Sequence, residues 1–176
     1  MNVAVIGAGA LGRSFALSCA RAGLHVVLED VMPDKLRKAG VEFASLGHAV
    51  RLVSTVEDAV AEADIAVDFV PDDLESKLEI WSLIDRMAPP RTILCTPSDT
   101  LSITDLASCT YRADRCIMAR GPLIGGSSLQ LLSAQETSAA TLSLTTQLFT
   151  AIGCTIAPHP DPDLPQLLKN MHATVL

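Results

Sequence analysis

The chain has 176 residues, 49% hydrophobic and 3% aromatic, with 13 Lys and Arg against 20 Asp and Glu. That length supports one domain with a real core, and the net charge of −7 argues against a nucleic acid or an anionic membrane as partner. No apolar run reaches the ~18–20 residues of a membrane span. The start Met1-Asn2-Val3-Ala4-Val5-Ile6 lacks the basic region of a signal peptide. The cysteines (Cys19, Cys95, Cys109, Cys116, Cys154) are scattered, with no Cys-x-x-Cys. This pattern favours reduced thiols in a cytoplasm over a disulfide framework or a metal site.

In chain order, apolar runs predict strands at 2–6, 25–29, 51–54, 65–70, 91–96, 115–119, 129–133 and 153–157. Amphipathic stretches predict helices near 10–22, 33–39, 56–62, 73–87, 102–109 and 137–151. The first strands are apolar throughout, as in a parallel sheet buried on both faces. Strand–helix alternation then implies a single α/β domain with a doubly wound, mostly parallel sheet. The Pro-rich run Pro158-His159-Pro160-Asp161-Pro162 reads as a boundary. It divides a 1–157 domain from a 158–176 linker with a short C-terminal helix.

Gly7-Ala8-Gly9-Ala10-Leu11-Gly12 is a G-x-G-x-x-G motif between an apolar strand and an Ala/Leu-rich helix, the context that makes it a dinucleotide fingerprint. Gly7 allows the tight turn, Gly9 lets backbone approach a pyrophosphate, and Gly12 lets helix pack close to strand. The pyrophosphate would sit on the helix N-terminus. Asp30 lies 18 residues after Gly12, where an acid holds ribose hydroxyls and repels a 2′-phosphate. Val31 and Met32 follow, with no Arg to receive that phosphate. The expected cofactor is therefore NAD rather than NADP, with Gly7, Gly9, Ala10, Leu11, Gly12 and Asp30 as contacts.

Several stretches in fixed order carry a wider resemblance: VAVIGAGALGRSFALSCARAGLHVVLED, VEDAVAEADIAVDFVPDDLESKLEIWSLIDRMAPPRTIL, LSITDLAS with ADRCIM, and QETSAAT. Over nearly its whole length the chain resembles the NAD-binding domain of the 3-hydroxyacyl-CoA dehydrogenases. The resemblance implies a Rossmann fold and adds Pro71, Asp72 and Lys77 as cofactor contacts, the last two on the nicotinamide ribose side. By itself, Lys77 reads equally well as a solvated helix lysine.

The resemblance fails at the catalytic positions. The family segment similar to S-N-T-S-S-L is Thr96-Pro97-Ser98-Asp99-Thr100-Leu101 here, so Pro97 and Asp99 replace an Asn and a Ser. The family's catalytic His falls nearest Arg120, and the Glu that orients it falls on Gln130. Arg stays protonated and cannot serve as the base that alcohol oxidation requires. None of His25, His48, His159 and His172 stands where the family places a base; His25, opening a strand, reads as a cap or core residue. The family's CoA-holding helical hairpin is shortened to about 25 residues before Thr55. The family's C-terminal helical domain would follow Asp163-Leu164-Pro165-Gln166-Leu167-Leu168-Lys169-Asn170, after which six residues remain. Little is expected to hold a long acyl-CoA.

Three functions stay open. The first is an NAD-dependent oxidoreductase acting on a small 3-hydroxy or 3-oxo acid or thioester. In it Asp99 would be the base, if burial raised its pKa, and Arg120 a carboxylate clamp. Against these stand a helix-capping role for Asp99 and a surface ion pair for Arg120. The second is an NAD-binding module without turnover. The third is a half-enzyme completed by a partner chain. Leu164, Leu167, Leu168 and Met171 recur at helical spacing. With the Leu123–Leu129 segment they suggest an apolar face that a homodimer or a hetero-partner covers.

Overall fold

Apolar runs far apart in the chain lie side by side in one sheet. A computed structural model describes residues 1–162. Its strands are β1 (Asn2–Ile6), β2 (His25–Glu29), β3 (Arg51–Val53), β4 (Ile65–Asp68), β5 (Ile93–Pro97), β6 (Cys116–Arg120), β7 (Ser128–Ser133) and β8 (Thr155–Pro160). They form one eight-stranded sheet in the order β3-β2-β1-β4-β5-β6-β7-β8. Strands β1 to β6 are mutually parallel. β7 turns back antiparallel to β6, and β8 runs parallel to β7. The expected α/β class and doubly wound, mostly parallel sheet are thus observed.

Helices α1 (Ala10–Arg21), α2 (Pro33–Ser45), α3 (Val56–Val60), α4 (Leu74–Met87), α5 (Ile103–Ser108) and α6 (Ala139–Ala151) cover both faces. Alternation along each strand sends side chains to opposite faces. Val3, Val5, Leu28 and Ile117 therefore pack with Phe15 of α1, Phe43 of α2 and Phe149 of α6. Ala4, Ile6, Leu94 and Met118 pack on the other face with Val60 of α3, Trp81 of α4 and Leu106 of α5. Side-chain oxygens cap the helices on that second face: Thr55 accepts from Asp58 N, Asp73 from Ser76 N and Ser102 from Asp105 N. The cap of α5 is therefore Ser102, not Asp99.

Four expectations change. α2 runs to Ser45 rather than stopping near 39, because Ala39 and Phe43, one turn apart, are both buried; a single helix fills the gap before β3. β8 continues through the boundary expected at Pro158, with Leu131, Leu132 and Ser133 opposite Pro158, His159 and Pro160. The prolines fit because β8 is an edge strand. Thr155 N and Asp161 N bond back to β7 through Ser127 O and Ser133 O. By parity, the nitrogens of Pro158 and Pro160 fall on the open edge, where no donor is needed. His25 is exposed rather than core. Lys77 is 1% exposed and is not a solvated helix residue. The expected C-terminal helix, with Leu164, Leu167, Leu168 and Met171, lies outside the described residues, as does His172. Among the described residues no helix is long and apolar enough to cross a membrane.

Candidate functional site: a dinucleotide cleft

The chain builds β1 to β3 outward in one direction and then returns to place β4 on the other side of β1. Connections diverge at that point and leave a crevice beyond the carboxyl ends of the strands, where ligands bind in open α/β sheets. The G-x-G-x-x-G turn lies there. Gly7 has φ +103°, and a Cβ on it would come 3.1 Å from Phe69 O. A Cβ on Gly12 would lie 1.9 Å from Gly7 O, whereas one on Gly9 would meet nothing within 4 Å. The open space in front of Gly9 faces the N-terminus of α1, which no side chain caps. The first N–H groups of a helix lack intrahelical partners and favour an anion. The chain thus leaves unfilled the place a pyrophosphate needs, and Ala10 and Leu11 open the helix beside it.

Asp30 secures this turn from below. Its Oδ2 accepts from Ala8 N at 2.8 Å and Lys35 Nζ at 3.1 Å, and its Oδ1 accepts from Met32 N at 2.9 Å. Burial opposes ionisation of Asp30, but these donors outweigh it and hold the carboxyl below its ordinary value. A cation does stand nearby, in Lys35 of α2 rather than as an Arg after Asp30. Next to Asp30, Glu29 is 3% exposed, and its buried Oε1 has no partner among the described residues. Burial first, then the charge of Asp30, raise Glu29 to about 7 against the opposing pull of Lys35. Glu29, Asp30, Gly9 and Pro71 line an open cavity of about 400 Å³, with Ser76 and Ile80 of α4 also in its wall.

A second cavity, of about 610 Å³, adjoins it beyond Pro71. Leu11, Asp72, Lys77, Ser98 and Asp99 line it, with Gly121–Ile124 on the far side. Lys77 Nζ donates to Asp68 Oδ1 at 2.6 Å and to Pro97 O at 3.1 Å. Asp68 Oδ2 accepts from Trp81 Nε1 at 2.9 Å. This buried set ties α4 to the ends of β4 and β5 and fixes the height of Lys77 in the cavity wall. Asp72 Oδ2 accepts from Asp99 N at 3.2 Å and Thr100 Oγ1 at 3.4 Å. Ser98 Oγ accepts from Thr100 N and Leu101 N. The loop after β5 is held by both neighbours.

The two catalytic candidates separate. Asp99 lies in the cavity wall but is exposed, so the burial on which its role as base depended is absent. Arg120 is not among the residues that line the cavity. Its Nε donates to Ser98 O at 3.2 Å and Nη2 to Leu101 O at 3.1 Å, on the face of Met118. Arg120 and Gln130 stand directly opposite each other across β6 and β7, so the two replaced positions form one cross-strand pair. Among the described residues no histidine lines either cavity.

Lys35, Glu29, Asp68 and Ser98 escaped the sequence reading. An acid ending an otherwise apolar buried strand was a signal for Glu29. Lys35, in the first turn of α2 and five residues after Asp30, was a weaker one. Asp68 and Ser98 carried none that separates them from ordinary loop and strand polar residues.

A glycine turn without side chains at the switch point, an acid-ended β2 and an open helix N-terminus define a dinucleotide-binding Rossmann domain. The chain belongs to the 3-hydroxyacyl-CoA dehydrogenase NAD-binding domain family, whose sequence model matches residues 2–46 and 40–157. NAD is accordingly its cofactor, and the cleft fits it. The chain is 29% identical over 134 residues to a probable 3-hydroxybutyryl-CoA dehydrogenase of Bacillus subtilis, covering 66% of this chain and 46% of that protein. It is 26% identical over 166 residues to an L-carnitine dehydrogenase of Burkholderia mallei, covering 85% and 52%. The fold matches that of the (S)-3-hydroxybutyryl-CoA dehydrogenase of Ralstonia eutropha with a TM-score of 0.83 at 23% identity, covering 91% of this chain and 63% of that one. The chain spans about half the length of these curated relatives.

Proposed function

We propose that the chain serves an NAD-dependent oxidoreductase acting on a small 3-hydroxy or 3-oxo acid or thioester rather than a long acyl-CoA. The observation that carries this reading is the adjoining cavity of about 610 Å³, which brings Asp72, Lys77, Ser98 and Asp99 together beside the cofactor cleft. NAD, when bound, supplies the hydride acceptor. Asp99 is the acceptor for the substrate hydroxyl proton, with its backbone N–H held by Asp72. Arg120 positions that loop through Ser98 O and Leu101 O rather than clamping substrate. An exposed carboxylate is a poorer base at neutral pH than a tuned imidazole, so turnover should fall well below the ~10 s⁻¹ of a median enzyme.

A second reading, an NAD-binding module without turnover, draws on the Arg120–Gln130 pair, which supplies no proton acceptor. Completion by a partner chain is a variant of the first reading. NADH absorbance against small 3-hydroxy and 3-oxo acids, free and as thioesters, decides between them when paired with calorimetric NADH binding. Turnover lost in Asp99→Asn with NADH affinity kept within about twofold supports the enzyme. NADH binding with no turnover on any substrate supports the module.

A further inference from the structure

Strand β2 ends in two acids, and the protein uses them differently. Asp30 spends both oxygens on Ala8 N, Met32 N and Lys35 Nζ. Glu29 is as deeply buried, yet its Oε1 has no partner among the described residues. A buried polar atom left without a partner is costly, and natural folds rarely keep one without a use. Glu29 lines the cavity of about 400 Å³ beside Gly9 and Asp30, at the end of the cleft where the fingerprint's acid reads the ribose of the adenosine half. The charged groups around it are Asp30, Lys35 of α2 and, across the cavity, Glu79 of α4.

We propose that Glu29 is a specificity-determining residue for the cofactor: its carboxyl accepts a hydrogen bond from a ribose hydroxyl and repels a 2′-phosphate. The inference rests on NAD occupying this cleft. Lys35 alone would attract a phosphate, but Asp30 already pairs with it at 3.1 Å. The charge that decides is therefore the one on Glu29. With that charge removed, Asp30 and Lys35 offset each other, and only the exposed, solvent-screened Glu79 of α4 still opposes the phosphorylated ribose.

Calorimetric titration of the wild-type chain, Glu29→Gln and Glu29→Leu with NADH and with NADPH at pH 8 tests this. Glu29, raised to about 7, is mostly ionised there. Glu29→Gln keeps an accepting oxygen, so it should hold NADH within about threefold and gain about tenfold for NADPH. Glu29→Leu has no acceptor and should lose about tenfold for NADH, with a melting temperature no lower than wild type. If Glu29→Leu does not fold, the NADPH gain in Glu29→Gln decides alone. Wild-type affinities for both dinucleotides in folded variants would overturn the role of Glu29 and leave the cleft intact. A wild-type chain that binds neither dinucleotide would overturn the cleft assignment, and this inference with it.

Discussion

Gly9 and Gly12 share one motif and face opposite surroundings, so one methyl group at each position separates binding from folding. At Gly12 the added Cβ would stand 1.9 Å from Gly7 O. Both partners are backbone, so α1 must move away from β1 by about 1 Å. Overpacking of that kind costs about 1–3 kcal/mol, or roughly 2–12 °C in melting temperature for a domain of this size. At Gly9 the Cβ meets nothing within 4 Å, and its φ of −63° suits alanine. Losing glycine at a helix N-cap costs a few tenths to about 1 kcal/mol. The stiffer unfolded chain returns about 0.4–1 kcal/mol, so Gly9→Ala should melt within about 2 °C of wild type. The same Cβ fills the space in front of the uncapped helix and holds a pyrophosphate off the N–H groups. A hydrogen bond to a charged group is worth about 1.5–3 kcal/mol, so NADH affinity should fall roughly 10- to 150-fold. Calorimetry with NADH and thermal unfolding on both variants provide the assay. If Gly9→Ala binds NADH like wild type, the pyrophosphate does not lie there. If it melts as low as Gly12→Ala, Gly9 is a packing glycine.

Lys77→Met should cost about 3–5 kcal/mol in urea unfolding because it leaves buried Asp68 without its cation. Adding Asp68→Asn should recover part of that loss, and a single variant within about 1 kcal/mol of wild type would refute the pairing argument. Glu29 is shifted upward, so its contribution to stability is full below the unfolded value near ~4.3 and is lost as pH rises through about 7. Asp30 is shifted downward, so its contribution is already full above ~3.9 and is lost only as pH falls through its lower folded value. Wild-type stability should therefore decline between about pH 4.3 and 7 by up to about 3 kcal/mol, and Glu29→Gln should abolish the slope. An unchanged slope in that variant would assign the titration elsewhere. Scattering-detected gel filtration of the full chain and of one ending at Pro162 checks association through the C-terminal segment. That cut keeps Asp161, whose Oδ2 accepts from Ser102 Oγ, Thr104 N and Thr104 Oγ1 at the start of α5. Two monomers at micromolar concentration would end the idea.

The glycine motif, the apolar strand before it and the helix after it are contiguous, so the dinucleotide fingerprint of Gly7, Gly9, Gly12 and Asp30 was legible from sequence alone. The order of apolar runs likewise determined a parallel, doubly wound sheet, because local pattern restricts the topologies available. What lay beyond reach depended on residues far apart in the chain. Lys77 looks like any helix lysine until Asp68 and the carbonyl of Pro97 close over it. Asp99 looks like a buried base or a cap until the fold leaves it exposed and gives the cap to Ser102. The side on which Arg120 emerges follows from strand parity, and its carbonyl partners from the loop after β5. The prolines of β8 break a strand by composition, yet an outer edge asks no donor of them. Glu29 looks like the end of a strand until Ile6 of β1, the loop after β4 and α4 line a cavity with it and its buried Oε1 is left without a partner among the described residues. Pattern fixes which segments pair because periodicity is local, whereas burial and the partners of a charge are set by whatever the fold brings alongside.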